Sequence, residues 1–175
     1  MKNSDRLERE AASHVAALMA AAARTSPKGR GIDNVEVLSI DDVKTKNKLL
    51  DKMKEISKAE KRPSFDRDAN SISAANEIVI IGVRSNPAGL NCGFCGHSTC
   101  AELSKAKGIC SFNSIDLGIA VSSAAAIAAR FHIDNRLMYS IGRAALEMKL
   151  FSAAVKQALG IPLSVTGKNP FFDRK

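Results

Sequence analysis

Hydrophobic and polar positions divide the chain into segments of two periods. The stretch from Arg6 to Arg24, ending REAASHVAALMAAAAR, is rich in strong helix formers with acids early and a base last, which predicts a first helix. Proline and two glycines in TSPKGRG (Thr25 to Gly31) interrupt it and leave a basic turn. Val35 to Ile40 (VEVLSI) alternates apolar and polar residues as a strand does, and Asp41-Asp42 then offers a helix cap before VKTKNKLLDKMKEISKAEK. In that second helix Val43, Leu49, Leu50, Met53 and Ile56 share one face and lysines fill the solvated other. Pro63 to Ser73 reads as a polar connection. The continuous β-branched run from Glu77 to Val83 (EIVIIGV) predicts a central strand buried on both faces.

A loop beginning at Arg84 delivers the chain into a cysteine cluster, and Ser98 to Lys107 predicts a short helix carrying Cys100 in its first turn. Asp116 to Ile133 is almost wholly small and apolar, the composition of a helix buried on most sides. Beyond it, Arg136 to Ile141 reads as a short strand, Arg143 to Leu150 and Phe151 to Ala158 as helical turns, and Leu159 to Val165 as a late strand. Helices alternating with strands over 175 residues predict a single layered domain, residues 1–175, of the α/β or α+β class.

Composition narrows the function. The net charge of +8 suits an anionic partner, whether nucleic acid, a phosphorylated cofactor or an acidic protein. Aromatics at 5% argue against a single-strand nucleic-acid binder that stacks bases on rings. MKNSDRLERE lacks the apolar core of a secretion signal, and no stretch reaches the roughly 18 uncharged apolar residues of a membrane span, so a cytoplasmic protein without a membrane role is expected.

In a reducing compartment, clustered cysteines serve as metal ligands or redox groups rather than structural disulfides. Cys92, Cys95, Cys100 and Cys110 follow C-x2-C-x4-C-x9-C. A cubane iron–sulfur cluster needs four thiolates from several directions, and a tight loop completed by a later cysteine supplies them. Gly93 and Gly96 let that loop turn sharply. Zinc also accepts four thiolates, but its common sites use two separated C-x2-C knuckles and this chain has one. Unligated thiols or a reversible disulfide are the remaining alternative. His97 lies inside the loop, where four cysteines already complete a ligand set; Lys105 and Lys107 read as a solvent-facing pair, with balancing the charge of a cluster as the alternative. His14 and His132 sit on apolar helical faces without nearby carboxylate or serine partners, and read as core or boundary histidines rather than catalysts.

The segments RSNPAGLNCGFCGHSTC, SIDLGIAV, DNRLMYSIG and GIPLSVTGKNPFFDR resemble a family of uncharacterised ferredoxin-domain proteins of anaerobic bacteria and archaea, over nearly the whole chain. The CGxCGxxxC core also resembles the four-iron cluster module of anaerobic electron-transfer and corrinoid iron–sulfur proteins. That likeness implies Cys92, Cys95, Cys100 and Cys110 as the ligands of a 4Fe-4S cluster, on a loop spanning 84–112. Around it, AALMAAAARTSPKGRGIDNVEVLSI, DLGIAVSSAAAIAARFHI and LGIPLSV are similar in order to the flavin-dependent nitroreductase fold. This second resemblance implies an α+β, three-layer scaffold, a mixed sheet flanked by helices with the cysteine-rich loop inserted after a strand. It also implies an intertwined homodimer with FMN at the interface. The chain departs from that family in lacking the amino-terminal arginine-serine-arginine motif and in having Gly31 and Asp33 where asparagine and glutamine are usual. Candidates for holding a flavin phosphate are Arg24, Lys28 and Arg30 in the basic turn, with Lys168 and Arg174 near the end.

Three functions follow as expectations: a 4Fe-4S electron-transfer protein with a redox protein partner, an FMN-dependent oxidoreductase, and a zinc-stapled module that binds nucleic acid or protein through its basic surface.

Overall fold

The structure is a computed structural model describing residues 1–172, so Arg174 lies outside the described residues. Asn3 caps α1 (Ser4–Thr25) by accepting the Arg6 N–H at 3.2 Å. A 3-10 turn at Gly29–Gly31 leads into β1 (Val35–Ile40). α2 (Val43–Ala59) starts at Asp42, whose carboxylate accepts the Thr45 N–H at 2.7 Å. α3 (Pro63–Ser71) and the central β2 (Glu77–Arg84) follow. After the cysteine loop come α4 (Cys100–Lys105), α5 (Ser111–Arg130), β3 (Asp134–Asn135), α6 (Tyr139–Glu147) and β4 (Val155–Ser164).

The strands lie in the order β1-β2-β4-β3, with β2 buried on both faces. Ile78 and Ile80 pack toward Leu49 and Met53 of α2, Phe65 of α3 and Ile141 of α6. Val79, Ile81 and Val83 turn the other way, to Met19 of α1 and Leu117, Val121 and Ala124 of α5. The period of two in β2 thus splits one apolar run between two cores, and the result is three layers: two helices, a sheet, three helices. Burying each of the larger of these side chains stabilises the fold by about 1.5–3 kcal/mol.

Several expectations change. Pro63–Ser71 is a helix, because Pro63 preorganises its first turn and Phe65, Ala69 and Ile72 share a buried face. Among the described strands every pairing is antiparallel, so the sheet is not mixed. Ile40 pairs with Ile78: the chain leaves β1 and enters β2 at the same end of the sheet, as two intervening helices allow. Arg136 to Ile141 is not a strand; only Met138 bridges to Gly160 before α6 begins. Phe151 to Ala158 is not helical, since from Val155 onward it pairs with β2 as β4. Val43 is exposed at the first position of α2, six residues ahead of Leu49, where the buried stripe begins. His14 and His132 are exposed rather than buried: His14 lies off the buried Ala12–Val15–Ala16–Met19 stripe, and His132 follows the end of α5 with φ 57.

α5 begins at Ser111, earlier than expected, and is long and apolar enough by composition to cross a membrane. Here it packs along α1 and against the sheet, with Asp116 buried within it.

Candidate metal centre

The end of the sheet defined by Val35, Arg84 and Val155 gathers the chemistry. From Arg84 the chain leaves the sheet and is held by side chains rather than by a ladder. Asn86 donates its N–H to Asn113 Oδ1 (3.0 Å) and its side-chain amide to Asn34 Oδ1 (3.3 Å). Asn91, in the left-handed region at φ 48, accepts the Cys100 N–H at 2.8 Å. That bond folds the loop over its eight intervening residues and brings Cys92 and Cys95 back toward Cys100. Gly93 and Gly96 take φ values of 74 and 82, which side chains resist, and Gly96 N–H closes onto the Gly93 carbonyl at 2.9 Å.

Thr99 caps α4 through the Glu102 N–H at 3.2 Å, while Glu102 accepts the Ser98 N–H at 3.1 Å. This reciprocal arrangement fixes Cys100 at the first helical position. Cys110 is the residue immediately before α5 and is buried; Leu103 and Ala88 pack against it, with Cys95 and Phe112 at the edge. Its carbonyl accepts the Asn113 N–H, so Cys110 is the residue at the positive end of a 20-residue helix.

All four cysteines are free thiols, and all four line one small cavity together with His97 and Leu103. Exposure grades across the set, from exposed Cys92 through Cys95 and Cys100 to buried Cys110. Among the described residues, no three His, Cys, Asp or Glu side chains converge closely enough to hold a single metal ion. A zinc ion needs each sulfur about 2.3 Å from one point. A cubane takes one thiolate on each of four irons, so its ligands surround a volume instead. Four thiols lining one cavity are a donor set that either centre can use.

The basic turn is clamped to both arms of this segment. Buried Asp116 accepts the Gly29 N–H at 2.9 Å, and the Phe112 ring lies against Gly29. Arg30, at φ 56, donates to the Ala88 carbonyl at 2.8 Å on the arm that enters the loop. Asn91, Asn113 and Asp116 were not singled out from sequence, because their partners lie 9 to 87 residues away.

The candidate phosphate-binding residues do not form one group within the chain. Arg24 is engaged by Asp33 and the Val35 carbonyl, and Lys28 donates to the carbonyls of Arg24 (2.5 Å) and Ser26 (2.9 Å). Lys168 follows the other end of β4, so the length of β2, eight residues or roughly 25 Å, separates it from the turn.

A profile of the family described as "uncharacterized protein containing a ferredoxin domain (DUF2148)" matches residues 106–174, a span that includes Cys110 but not the other three cysteines. An uncharacterized protein of Archaeoglobus fulgidus is 38% identical over 181 residues, which cover 98% of this chain and 96% of that one. The chain belongs to this ferredoxin-domain family. Among solved structures, a nitroreductase with bound FMN from Desulfitobacterium hafniense has a TM-score of 0.63 at 12% identity, covering 96% of this chain and 80% of that one. A BluB-like flavoprotein from Clostridium difficile has a TM-score of 0.62 at 19% identity, over 97% and 84%. The fold of this ferredoxin-domain protein is therefore nitroreductase-like. Family description and fold point together to redox chemistry.

Proposed function

We propose that Cys92, Cys95, Cys100 and Cys110 hold a 4Fe-4S cluster and that the protein transfers electrons in the reducing cytoplasm. The observation that carries this reading is one cavity bordered by four free thiols. Such a cluster supplies one-electron chemistry. The chain supplies the rest. Leu103 and Ala88 exclude water from the Cys110 side, the start of α5 favours negative charge there, and Asn91 and Thr99 hold the loop to α4.

A flavin is the second reading, favoured by a cleft of about 370 Å³ between α5, α6 and β4 that adjoins a hollow of about 550 Å³. Tyr139, Leu117 and Leu159 give it apolar walls for a planar ring, and Lys156 and Arg143 stand at the junction of the two. Arg143 is bound first by Glu147 and then by Glu60, which raises its already high pKa, so Lys156 is the better anion contact. FMN here would make the protein an oxidoreductase, with the homodimer usual for the fold.

Protein purified without oxygen is expected to be brown, with iron and acid-labile sulfide near about four each per chain. Cys95→Ala should lose both. Zinc-loaded, colourless protein from the same preparation would overturn the cluster, and flavin absorbance released on denaturation decides the second reading.

A further inference from the structure

We propose that the face carrying Phe94 is the docking site of a small acidic electron-carrier protein. This rests on the cluster reading and names the partner that reading requires. Phe94 is the third residue of the Cys92–Cys95 knuckle, directly before Cys95, and is 70% exposed. Its ring is not loose: it stacks on Phe112 with centroids 5.8 Å apart and planes within 8°. Phe112 in turn lies against Gly29, where a Cβ would come within 3.1 Å of the ring. Two rings and a glycine therefore form a supported column that ends in an exposed aromatic face. Leu90 and Ile109, also exposed, flank the same cysteines in sequence.

Exposed Phe94, with exposed Leu90 and Ile109 on the same segment, supplies the apolar centre that a contact with another protein uses. The surrounding charge identifies that surface. Residues 84–112 carry three cations and one acid, Glu102, whose carboxylate already accepts the Ser98 N–H; Arg84 is paired with Glu36 at 3.8 Å, which leaves Lys105 and Lys107. Lys28 and Arg30 flank Gly29 beneath the column. An apolar centre with a basic rim fits a partner with an acidic rim; like charge there would repel. Contact at Phe94 also brings the partner next to Cys95, the following residue, and within two residues of Cys92, which shortens the electron's path. In the transfer one electron leaves the carrier's own centre and is gained at the cysteine-held one. No bond breaks and no proton moves.

The test is calorimetric titration of the full chain with a small acidic bacterial ferredoxin, alongside iron analysis of every sample. Affinity should fall at least about tenfold between roughly 20 and 300 mM salt, and about tenfold at low salt in Lys105→Glu/Lys107→Glu. Phe94→Ala should weaken binding at both salt concentrations, while reduction by dithionite stays unchanged in both variants. Full iron content with no ferredoxin binding, or with binding indifferent to salt and to both variants, overturns the docking site and spares the cluster. Missing iron with intact, charge-dependent binding does the reverse. A DNA oligonucleotide that binds more tightly than the ferredoxin and is released by the same double reversal would also overturn the proposal, by assigning the basic rim to nucleic acid.

Discussion

β2 and the cysteine segment meet at Arg84 and are built on opposite terms. Along β2 every residue from Glu77 to Val83 is buried, both edges are paired, and two cores share its side chains. From Ser85 to Thr99 regular structure is absent, most residues are exposed, and position depends on a few side chain to backbone bonds. Apolar burial is spread over many contacts and tolerates small losses. Side-chain tethers are few, so each matters locally and little elsewhere. The comparison teaches that the scaffold and the proposed centre should fail separately, one by unfolding and the other by losing its ligand.

The largest effect should come from closing the approach of α6 to β4. A Cβ on Gly142 would lie 1.8 Å from the Ala158 carbonyl oxygen and 2.7 Å from the Leu159 nitrogen, both backbone atoms that cannot step aside. Gly142→Ala is expected to cost about 3 kcal/mol and to lower the melting temperature sharply. Gly118→Ala is its control: nothing lies within 4 Å of that Cβ, and in a helix interior the change should be neutral to stabilising by up to about 1 kcal/mol. Equal melting of wild type and Gly142→Ala would mean that α6 and β4 do not meet this closely.

What could be read from the sequence follows the same division. β1, β2, α1 and α2 were legible because their apolar periods are long and uninterrupted. α3 was not: its buried residues Phe65 and Ala69 alternate with Asp66, Arg67, Asp68 and Asn70, and buried Asp68 is satisfied by Arg67, which donates to one carboxylate oxygen at 2.7 Å, and by Ser140, 72 residues away, which donates to the other at 2.6 Å. The start of β4 was hidden for a different reason. SAAVKQA has the local preference of a helix, and pairing with β2 overrides it. Cysteine spacing pointed to one centre, and the four thiols do line one cavity, whereas the tethers that hold them, Asn91 and Asp116 among them, follow from the fold and have no local signature.

Asn91→Ala sharpens the contrast at intermediate size. It removes the acceptor from the Cys100 N–H and replaces a residue that tolerates φ 48 with one that does so less well. A local cost of about 1–2 kcal/mol is expected, expressed as faster loss of iron to a chelator rather than as a lower melting temperature. A large drop in melting temperature with unchanged iron release would show the loop to be part of the scaffold after all.

The smallest effect compares two side-chain caps, one a carboxylate and one a hydroxyl. Asp42 and Thr99 each accept an N–H at the start of a helix, at 2.7 and 3.2 Å. α2 has 17 residues and is anchored by Leu49, Met53 and Ile56; α4 has six and buries only Leu103. Thr99→Ala should therefore speed iron loss, and Asp42→Ala should only lower the melting temperature slightly. The Asp42 difference should also depend on pH. The backbone N–H of Thr45, followed by its hydroxyl, holds the Asp42 carboxyl below its ordinary value of 3.8. A carboxyl lowered in the folded state stabilises fully above its unfolded pKa, and that contribution fades as pH falls through the folded value. Melting curves of wild type and Asp42→Ala should thus differ at neutral pH and converge in acid, whereas the Thr99 hydroxyl does not titrate and its effect should persist wherever the cysteine ligands remain bound. Convergence of both pairs would assign the two caps to one cooperative unit.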